Sequence, residues 1–280
     1  MTSGSQREVG CDLGFEVSEP SLLAFQVAVA TAAGTLLEEH LTCTGAGGMA
    51  LPTREIADEV GGRTHLVTAP VGPLTLGYSA VVVAADGSDG VPDGGDVPGL
   101  DDIVALRQSR YCPSDAFAGF AAAEFPGSAG APSDVIALAV ASWVFERLTY
   151  APGSSGPLDT ALDTLHADAG VCRDFAHLVI TLCRALGVPA RLAAVYAPGL
   201  TPMDFHAVVE VRTADGWQAL DPSRLAPRPT LVRIATGRDA ADTAFATTLR
   251  GDVELVTSRA FASSDGDLPD DDHVSVVRLP

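Results

Sequence analysis

The first third of the chain consists of short apolar runs, partly β-branched, that are separated by turn residues. The segment 63–83 has a central proline and glycine between two such runs, which is typical of a β-hairpin. Comparable runs at 14–30 and 35–43 predict further strands, and together they indicate an N-terminal β-sandwich. Residues 84–102 are so rich in glycine and aspartate that they predict a loop or linker.

A helical period replaces this pattern in the middle of the chain. The segment 133–150 has Ser133 or Asp134 as a natural N-cap, followed by apolar residues at helical spacing. A shorter helix is predicted at 158–169. A third helix is predicted from Val171 onward, because its apolar residues share one face and Gly187 follows them, with a proline beyond.

The period changes back to that of strands after the third helix. These strands are predicted at 190–197, 205–213 and 216–222. Three helices followed by an antiparallel sheet define an α+β unit. The tail at 236–261 predicts a short helix plus a strand. We therefore divide the chain into an N-terminal β-sandwich domain at 1–100 and a second domain at 101–280.

Composition and charge narrow the class of protein. The chain has 280 residues, of which 47% are hydrophobic, enough for one large domain or two ordinary ones. Its net charge of −19 argues against nucleic acid or an anionic membrane as a partner, because phosphate binding depends on clustered Lys and Arg. The sequence opens without a basic region followed by an apolar run, and no run approaches the roughly 18 residues of a membrane span. We therefore expect a cytoplasmic protein.

The five cysteines favour reduced thiols. They are odd in number and contain no CxxC pair, so neither a disulfide framework nor a zinc-ribbon spacing is present. A redox or metal function that uses Cys112, Cys172 and Cys183 is disfavoured, because the last two lie about three turns apart along one helix. HExxH motifs, carboxylate clusters and phosphate-binding glycine loops are also missing, so no metal or cofactor is expected.

Cys172, His206 and Asp221 follow one another in an order that can form a nucleophilic triad. Cys172 lies in the first turn of the third predicted helix, where unpaired backbone N–H groups favour a thiolate. His206 begins one strand and Asp221 ends the next, so an antiparallel hairpin would place the two side by side. Asp221 could then orient the imidazole while its other nitrogen faces the sulfur. Each residue also has a structural interpretation, as a core cysteine, a satisfied strand histidine and a turn-forming aspartate.

The oxyanion of such a reaction needs hydrogen-bond donors. The backbone N–H of Cys172 is one candidate, and the side chain of Trp143 or Tyr111 is a candidate for the second. A tryptophan among apolar helical neighbours is more often a core residue.

Other polar residues near the predicted nucleophile are expected to be structural. Asp174 lies in the first helical turn, where an acidic residue complements the helix dipole, and a contact with 108–115 or 236–245 is the alternative. His166 and His177 have no carboxylate at a suitable spacing, so surface or core positions are predicted for them.

Three segments resemble the catalytic segments of the transglutaminase-like superfamily: "GVCRDFAHLVITLCRALGVPARL", "DFHAVVEV" and "GWQALDPS". The resemblance is close over 103–250, and the N-terminal strands resemble the β-domain that precedes this core in bacterial members. The segments 108–115 and 236–245 resemble a bacterial branch described as transglutaminase-like proteins or cysteine proteases. The resemblance implies a papain-like α+β core preceded by a β-sandwich.

The resemblance also implies a role for each member of the triad, with Cys172 as nucleophile, His206 as general base and then acid, and Asp221 as the orienting residue. The implied activity is hydrolysis of an amide bond through a thioester, as in a peptidase or deamidase, on a peptide, protein or small amide. Acyl transfer to an amine acceptor, as in a transglutaminase, is the alternative. A noncatalytic binding protein on the same fold is a third interpretation, which the intact triad disfavours. The oligomeric state is left open.

Overall fold

The computed structural model describes residues 5–84 and 99–280. The first of these ranges is built from strands, as its short apolar runs predict. The strands are β1 Gln6–Val17, β2 Ser21–Phe25, β3 Gly34–Thr44, β4 Thr53–Ala57, β5 Arg63–Ala69 and β6 Gly72–Ala84. Most of the loop predicted at 84–102 lies outside the described residues, and its last part is helical from Leu100 onward.

Two four-stranded antiparallel sheets form the N-terminal sandwich, and the C-terminal part of the chain completes both. The completing strands are β13 Ala246–Arg250 and β14 Val253–Ser264. The sheet orders are β14-β1-β6-β3 and β13-β2-β5-β4. The division at residues 100 and 101 therefore does not describe the last two strands, which belong to the sandwich. Their partners lie far away in sequence, and strand pairing over such a separation leaves no local signal.

The short helix predicted within 236–261 is wrong. Residues 238–243 form a turn in which carboxylates replace helical hydrogen bonds. Asp242 accepts the backbone N–H of Arg238 at 2.9 Å, and Asp239 accepts that of Ala241 at 2.9 Å. Aspartate side chains offer the backbone this alternative to a helix, which explains the difference.

The second half of the chain packs helices against a four-stranded antiparallel sheet, which confirms the predicted α+β class. The helices are α1 Leu100–Leu106, α2 Ala118–Glu124, α3 Ser133–Arg147, α4 Ala161–Ala167 and α5 Cys172–Ala185. The sheet, in the order β11-β10-β9-β12, consists of β9 Ala190–Tyr196, β10 His206–Thr213, β11 Gly216–Leu220 and β12 Val232–Gly237. A short parallel pair, β7 Thr149–Tyr150 and β8 Ala169–Gly170, precedes α5. Within the described ranges, no helix has the length and apolarity to traverse a bilayer.

Helix α5 is the central element of this half. Its residues from Asp174 to Arg184 are all buried, and it packs against α3 and against strands β9 and β10. Gly187 ends the helix with a φ of 81°, and the N–H of Val188 donates to the carbonyl of Cys183 at 2.8 Å. This is the predicted glycine ending. The start of α3 differs slightly from prediction, because Pro132 occupies its N-cap position.

The two halves share one apolar core. Tyr196 and Ile234, from the sheet of the second half, are buried in the same cluster as β1, β2 and β6. The Tyr196 hydroxyl donates to the carbonyl of Val27 at 2.7 Å, and the Arg7 guanidinium donates to that of Leu231 at 3.0 Å. These bonds cross from one half to the other, so the halves stabilise each other.

We predict that a fragment beginning at residue 101 does not fold on its own. It would expose Tyr196 and Ile234, and it would leave β13 and β14 without the strands they pair with. The fragment should be insoluble or should lack a cooperative thermal transition in circular dichroism, whereas the full chain should melt cooperatively. A soluble fragment with a cooperative melt would contradict the shared core.

Candidate active site

Cys172 is the first residue of α5, where a carboxylate two residues later fixes the start of the helix. Asp174 accepts the backbone N–H of Val171 at 2.9 Å and binds the Arg173 guanidinium at 2.7 Å. The Ser155 hydroxyl also donates to Asp174. These contacts give Asp174 a structural place, and they differ from the alternative contacts considered with 108–115 or 236–245. Cys172 itself is half-buried, at the end of the helix that carries the positive dipole.

The antiparallel hairpin of β10 and β11 brings His206 and Asp221 together. Val209 pairs with Leu220 in this hairpin, so the beginning of β10 lies beside the end of β11. His206 Nε2 lies 2.9 Å from Asp221 Oδ2, and both side chains are completely buried. Because a carboxylate can only accept, Nε2 carries the proton of this hydrogen bond.

A tight turn holds Asp221 in this position. Its Oδ1 accepts the backbone N–H of Ser223 at 2.9 Å and the Ser223 hydroxyl at 2.6 Å, and the N–H of Arg224 at 3.2 Å. Asp221 is therefore a turn former and the partner of His206 at once. Sequence reasoning missed the role of Ser223, although "DPS" is the pattern of an Asx turn.

The buried pair has strongly shifted pKa values. Burial alone would lower the pKa of His206, but the charge and hydrogen bond of Asp221, with a contribution from the Cys172 side chain, raise it to about 10. Burial alone would raise the pKa of Asp221, but the His206 charge and the hydrogen bonds from His206 and Ser223 lower it to about 2. At neutral pH the pair is therefore an imidazolium and a carboxylate.

Two groups lie near the predicted nucleophile. The second ring nitrogen of His206, Nδ1, is buried and has no hydrogen-bond partner at ordinary geometry among the described residues, while Cys172 lines the same cleft. Tyr150 on β7 interacts with the backbone N–H and the side chain of Cys172. Burial, with the nearby Cys172 side chain and Asp204, raises the pKa of the Tyr150 hydroxyl to about 12. Nothing in the sequence pattern had singled out Tyr150.

The two aromatic candidates for oxyanion donors lie in different places. The indole N–H of Trp143 donates to Glu124 at 2.8 Å, and the ring packs against Phe120 and Phe125. The single donor of Trp143 is therefore used by Glu124, and Trp143 does not line the cleft beside Cys172. The suggested oxyanion role of Trp143 is wrong. Tyr111 does line the cleft.

The segment that carries Tyr111 is held by a second buried histidine and an aspartate. His177 accepts the N–H of Ala240 at 3.1 Å and stacks on the Tyr111 ring at 5.2 Å. Burial lowers the pKa of His177 to about 4, so this ring is neutral and belongs to the core. Asp239 accepts the N–H of Tyr111 at 2.8 Å, a link that sequence reasoning missed. His166, by contrast, is exposed on α4.

A cleft of about 420 Å³ opens beside Cys172 and His206. Its walls come from both halves of the molecule, with Gln26 and Ala246 from the sandwich and Leu192 from the central sheet. The N-terminal sandwich therefore forms part of the candidate active site.

The remaining thiols are separated from this cleft. Cys11, Cys43, Cys112 and Cys183 are buried and free, and burial raises the pKa of each thiol to about 12, or about 11 for Cys43. Residues 5–84 and 99–280 contain no group of three or more His, Cys, Asp or Glu side chains arranged to hold a metal ion.

Comparison with known families shows the superfamily to which the chain belongs. The model of the transglutaminase-like superfamily core matches residues 121–222, a range that contains Cys172, His206 and Asp221. The chain belongs to the transglutaminase-like superfamily.

Individual relatives differ in how much of the chain they match. A Cytophaga hutchinsonii protein named "Putative Cysteine Protease" is 31% identical, with a TM-score of 0.85 over 100% of this chain and 99% of that chain. The periplasmic domain of TgpA from Pseudomonas aeruginosa is 19% identical, with a TM-score of 0.39 over 78% of this chain and 90% of that chain. Uncharacterized protein ML0607 of Mycobacterium leprae is 32% identical over 115 residues, which are 38% of this chain. The match spans 41% of that relative.

We predict that Asp221→Asn lowers the pKa of His206, because the amide keeps a hydrogen-bond acceptor but removes the charge. Because the pKa of His206 is higher in the folded chain than in the unfolded chain, its protonation stabilises the folded state. This stabilisation is complete below pH 6.5, the ordinary histidine pKa, and is lost as pH rises through about 10. The difference in free energy of unfolding between wild type and Asp221→Asn should therefore shrink over that interval. Histidine NMR titration and chemical denaturation measure the two quantities.

The exposed aspartate in the hairpin turn provides the control. Asp215→Asn removes a charge near the same strands and should leave the His206 pKa unchanged. An unchanged His206 pKa in Asp221→Asn would contradict the electrostatic role of Asp221.

Proposed function

We propose that this protein is a cysteine-dependent amide hydrolase that acts through a thioester acyl-enzyme. The observation that carries the proposal is the buried His206–Asp221 hydrogen bond beside Cys172, at the edge of an open cleft. Membership of the transglutaminase-like superfamily and the similarity to the Cytophaga hutchinsonii protein support it.

Acylation uses a thiolate on Cys172 and the imidazolium of His206. The Cys172 thiolate attacks the carbonyl carbon of the amide, and the electron pair of the carbonyl moves to oxygen. The imidazolium of His206 then donates its Nδ1 proton to the departing nitrogen as the C–N bond breaks. An amine leaves, and a thioester to Cys172 and a neutral His206 remain.

Deacylation reverses the direction of proton transfer. Neutral His206 accepts a proton from water, and the oxygen of that water attacks the thioester carbonyl. Collapse of the second tetrahedral intermediate breaks the C–S bond and releases a carboxylic acid. The thiolate and imidazolium are restored, and Asp221 stays ionised throughout because its pKa is lowered to about 2.

Tyr150 is the proposed second donor to the oxyanion, in addition to the backbone N–H of Cys172. Its hydroxyl interacts with both the N–H and the side chain of Cys172, and a phenol whose pKa is raised to about 12 is protonated at neutral pH. A protonated phenol at this place can donate to the developing negative charge.

The activation of Cys172 can be tested without a substrate. We predict that iodoacetamide alkylates Cys172 much faster than the four buried cysteines at neutral pH, because only Cys172 is accessible and adjacent to an imidazolium. His206→Ala should slow the labelling of Cys172 severalfold or more, although Cys172 stays the accessible thiol, and His166→Ala, which changes an exposed histidine, should leave the Cys172 rate unchanged. Peptide mass spectrometry gives the rate at each cysteine.

Slow labelling of Cys172 in a wild-type protein that melts cooperatively would contradict the proposed function. It would favour a binding protein on the same fold. When a substrate is found, an assay with added amine separates hydrolysis from the acyl transfer that sequence analysis left open, because only a transferase yields the amide of the added amine.

We predict that Tyr150→Phe lowers kcat for hydrolysis of an activated ester such as p-nitrophenyl acetate by roughly 10²-fold, because the transition state loses one oxyanion donor. KM should change little, since the ground-state carbonyl carries little charge. Tyr111→Phe is the comparison, because Tyr111 lines the cleft and is the alternative donor predicted from the sequence. A loss of kcat in Tyr111→Phe instead of Tyr150→Phe would assign the donor role to Tyr111. Equal kcat values for wild type and Tyr150→Phe would exclude the donor role.

A further inference from the structure

The cleft beside Cys172 has a mostly apolar surface. Leu192, Ala194 and Ile234 line it from β9 and β12, and small residues such as Ala240 and Ala244 line its side. Leu192 and Ile234 are each only 1% exposed, so dense packing behind them fixes the wall. The cavity is wide enough for a complete amino-acid side chain in addition to the scissile group.

An aromatic wall forms the part of the cleft next to His206. The rings of Phe205 and Phe245 are stacked 4.9 Å apart with an angle of 7° between their planes. Phe205 packs in turn on the buried Tyr196 at 5.7 Å, which continues to Tyr78 at 6.4 Å. This row anchors the half-buried Phe205 and Phe245 in the shared core, so they present a fixed apolar surface.

The charged side chains at the cleft disfavour an acidic ligand. Arg173 is already paired with Asp174, at 2.7 Å, and also donates to the carbonyl of Gly156. Asp204 is exposed at the mouth and has no ion-pair partner among the described residues. A second carboxylate bound here would meet an unneutralised negative charge.

We propose that this cleft binds a large apolar side chain, aromatic or branched aliphatic, of the residue that supplies the scissile carbonyl. The inference rests on the proposed function, because that function places the carbonyl at Cys172. It makes the main-chain amide of a peptide the substrate. A glutamine substrate would place its side-chain amide at Cys172 and would offer the apolar wall only the methylene groups of that side chain.

A series of affinity labels that differ only in one side chain tests the proposal. The probes are the N-acetylated chloromethyl ketones of phenylalanine, leucine, glycine and glutamate, in which a thiolate displaces chloride. Their second-order rates at Cys172 of the full chain are divided by the rate with iodoacetamide. The phenylalanine and leucine probes should react about tenfold faster than the glycine probe, or more, and the glutamate probe should react more slowly than the glycine probe.

Two kinds of failure can be distinguished. Rapid alkylation by iodoacetamide with equal normalised rates for all four ketones would overturn the apolar-cleft inference and leave the proposed function intact. Slow alkylation of Cys172 by iodoacetamide and by every ketone would contradict the proposed function itself, and with it the inference.

Substitutions in the aromatic wall test whether Phe245 causes the faster reaction of the phenylalanine probe. Phe245→Ala should lower the phenylalanine-to-glycine ratio severalfold, and Phe245→Leu, which keeps an apolar side chain, should retain part of it. Phe120→Ala removes an aromatic ring that packs on Trp143 outside the cleft, so it should leave the ratio unchanged. The inference would be overturned if Phe245→Ala and Phe245→Leu both melt cooperatively and both keep the phenylalanine-to-glycine ratio of the wild type.

Discussion

The hydrogen bond between His206 and Asp221 is the constraint around which the second half of the protein is organised. Both side chains are completely excluded from water, and a buried charge without its partner is strongly destabilising. The pair therefore depends on the register of the β10–β11 hairpin and on the Asx turn in which Ser223 supplies two donors. The same bond sets the protonation state of the ring that faces the cleft. Stability and chemistry consequently depend on one geometry.

Two buried histidines, His177 and His206, show which features of the site can be predicted from the sequence. His177 and His206 are both buried, yet burial lowers the pKa of His177 to about 4, whereas Asp221 and its hydrogen bond raise that of His206 to about 10. The neighbouring carboxylate makes the difference. The strand pattern predicts that carboxylate for His206, because His206 begins one strand of a predicted hairpin and Asp221 ends the other. Local patterns also predict the ends of α5, with Gly187 as its stop.

Features made by distant segments were not predictable in this way. The donor of Trp143 is used by Glu124 from another helix, and a sequence read alone cannot show which acceptor an indole will meet. Tyr150 reaches Cys172 because β7 pairs with β8 just before α5. The stack of Phe205 on Phe245 joins two loops from different parts of the chain. Each contact depends on tertiary packing between distant segments, which local residue propensities do not encode.

The pairing of β1 with β14 affects how the chain can be made. During synthesis the first strand leaves the ribosome long before its partner exists, and β2 waits similarly for β13. Such non-local pairing slows folding and leaves strand edges exposed in the meantime. The nascent sandwich is therefore incomplete until β13 and β14 emerge, and until then its open strand edges are exposed to pairing with other chains. The candidate active-site cleft is likewise incomplete until β13 has been made, because Ala246 of that strand forms part of its wall.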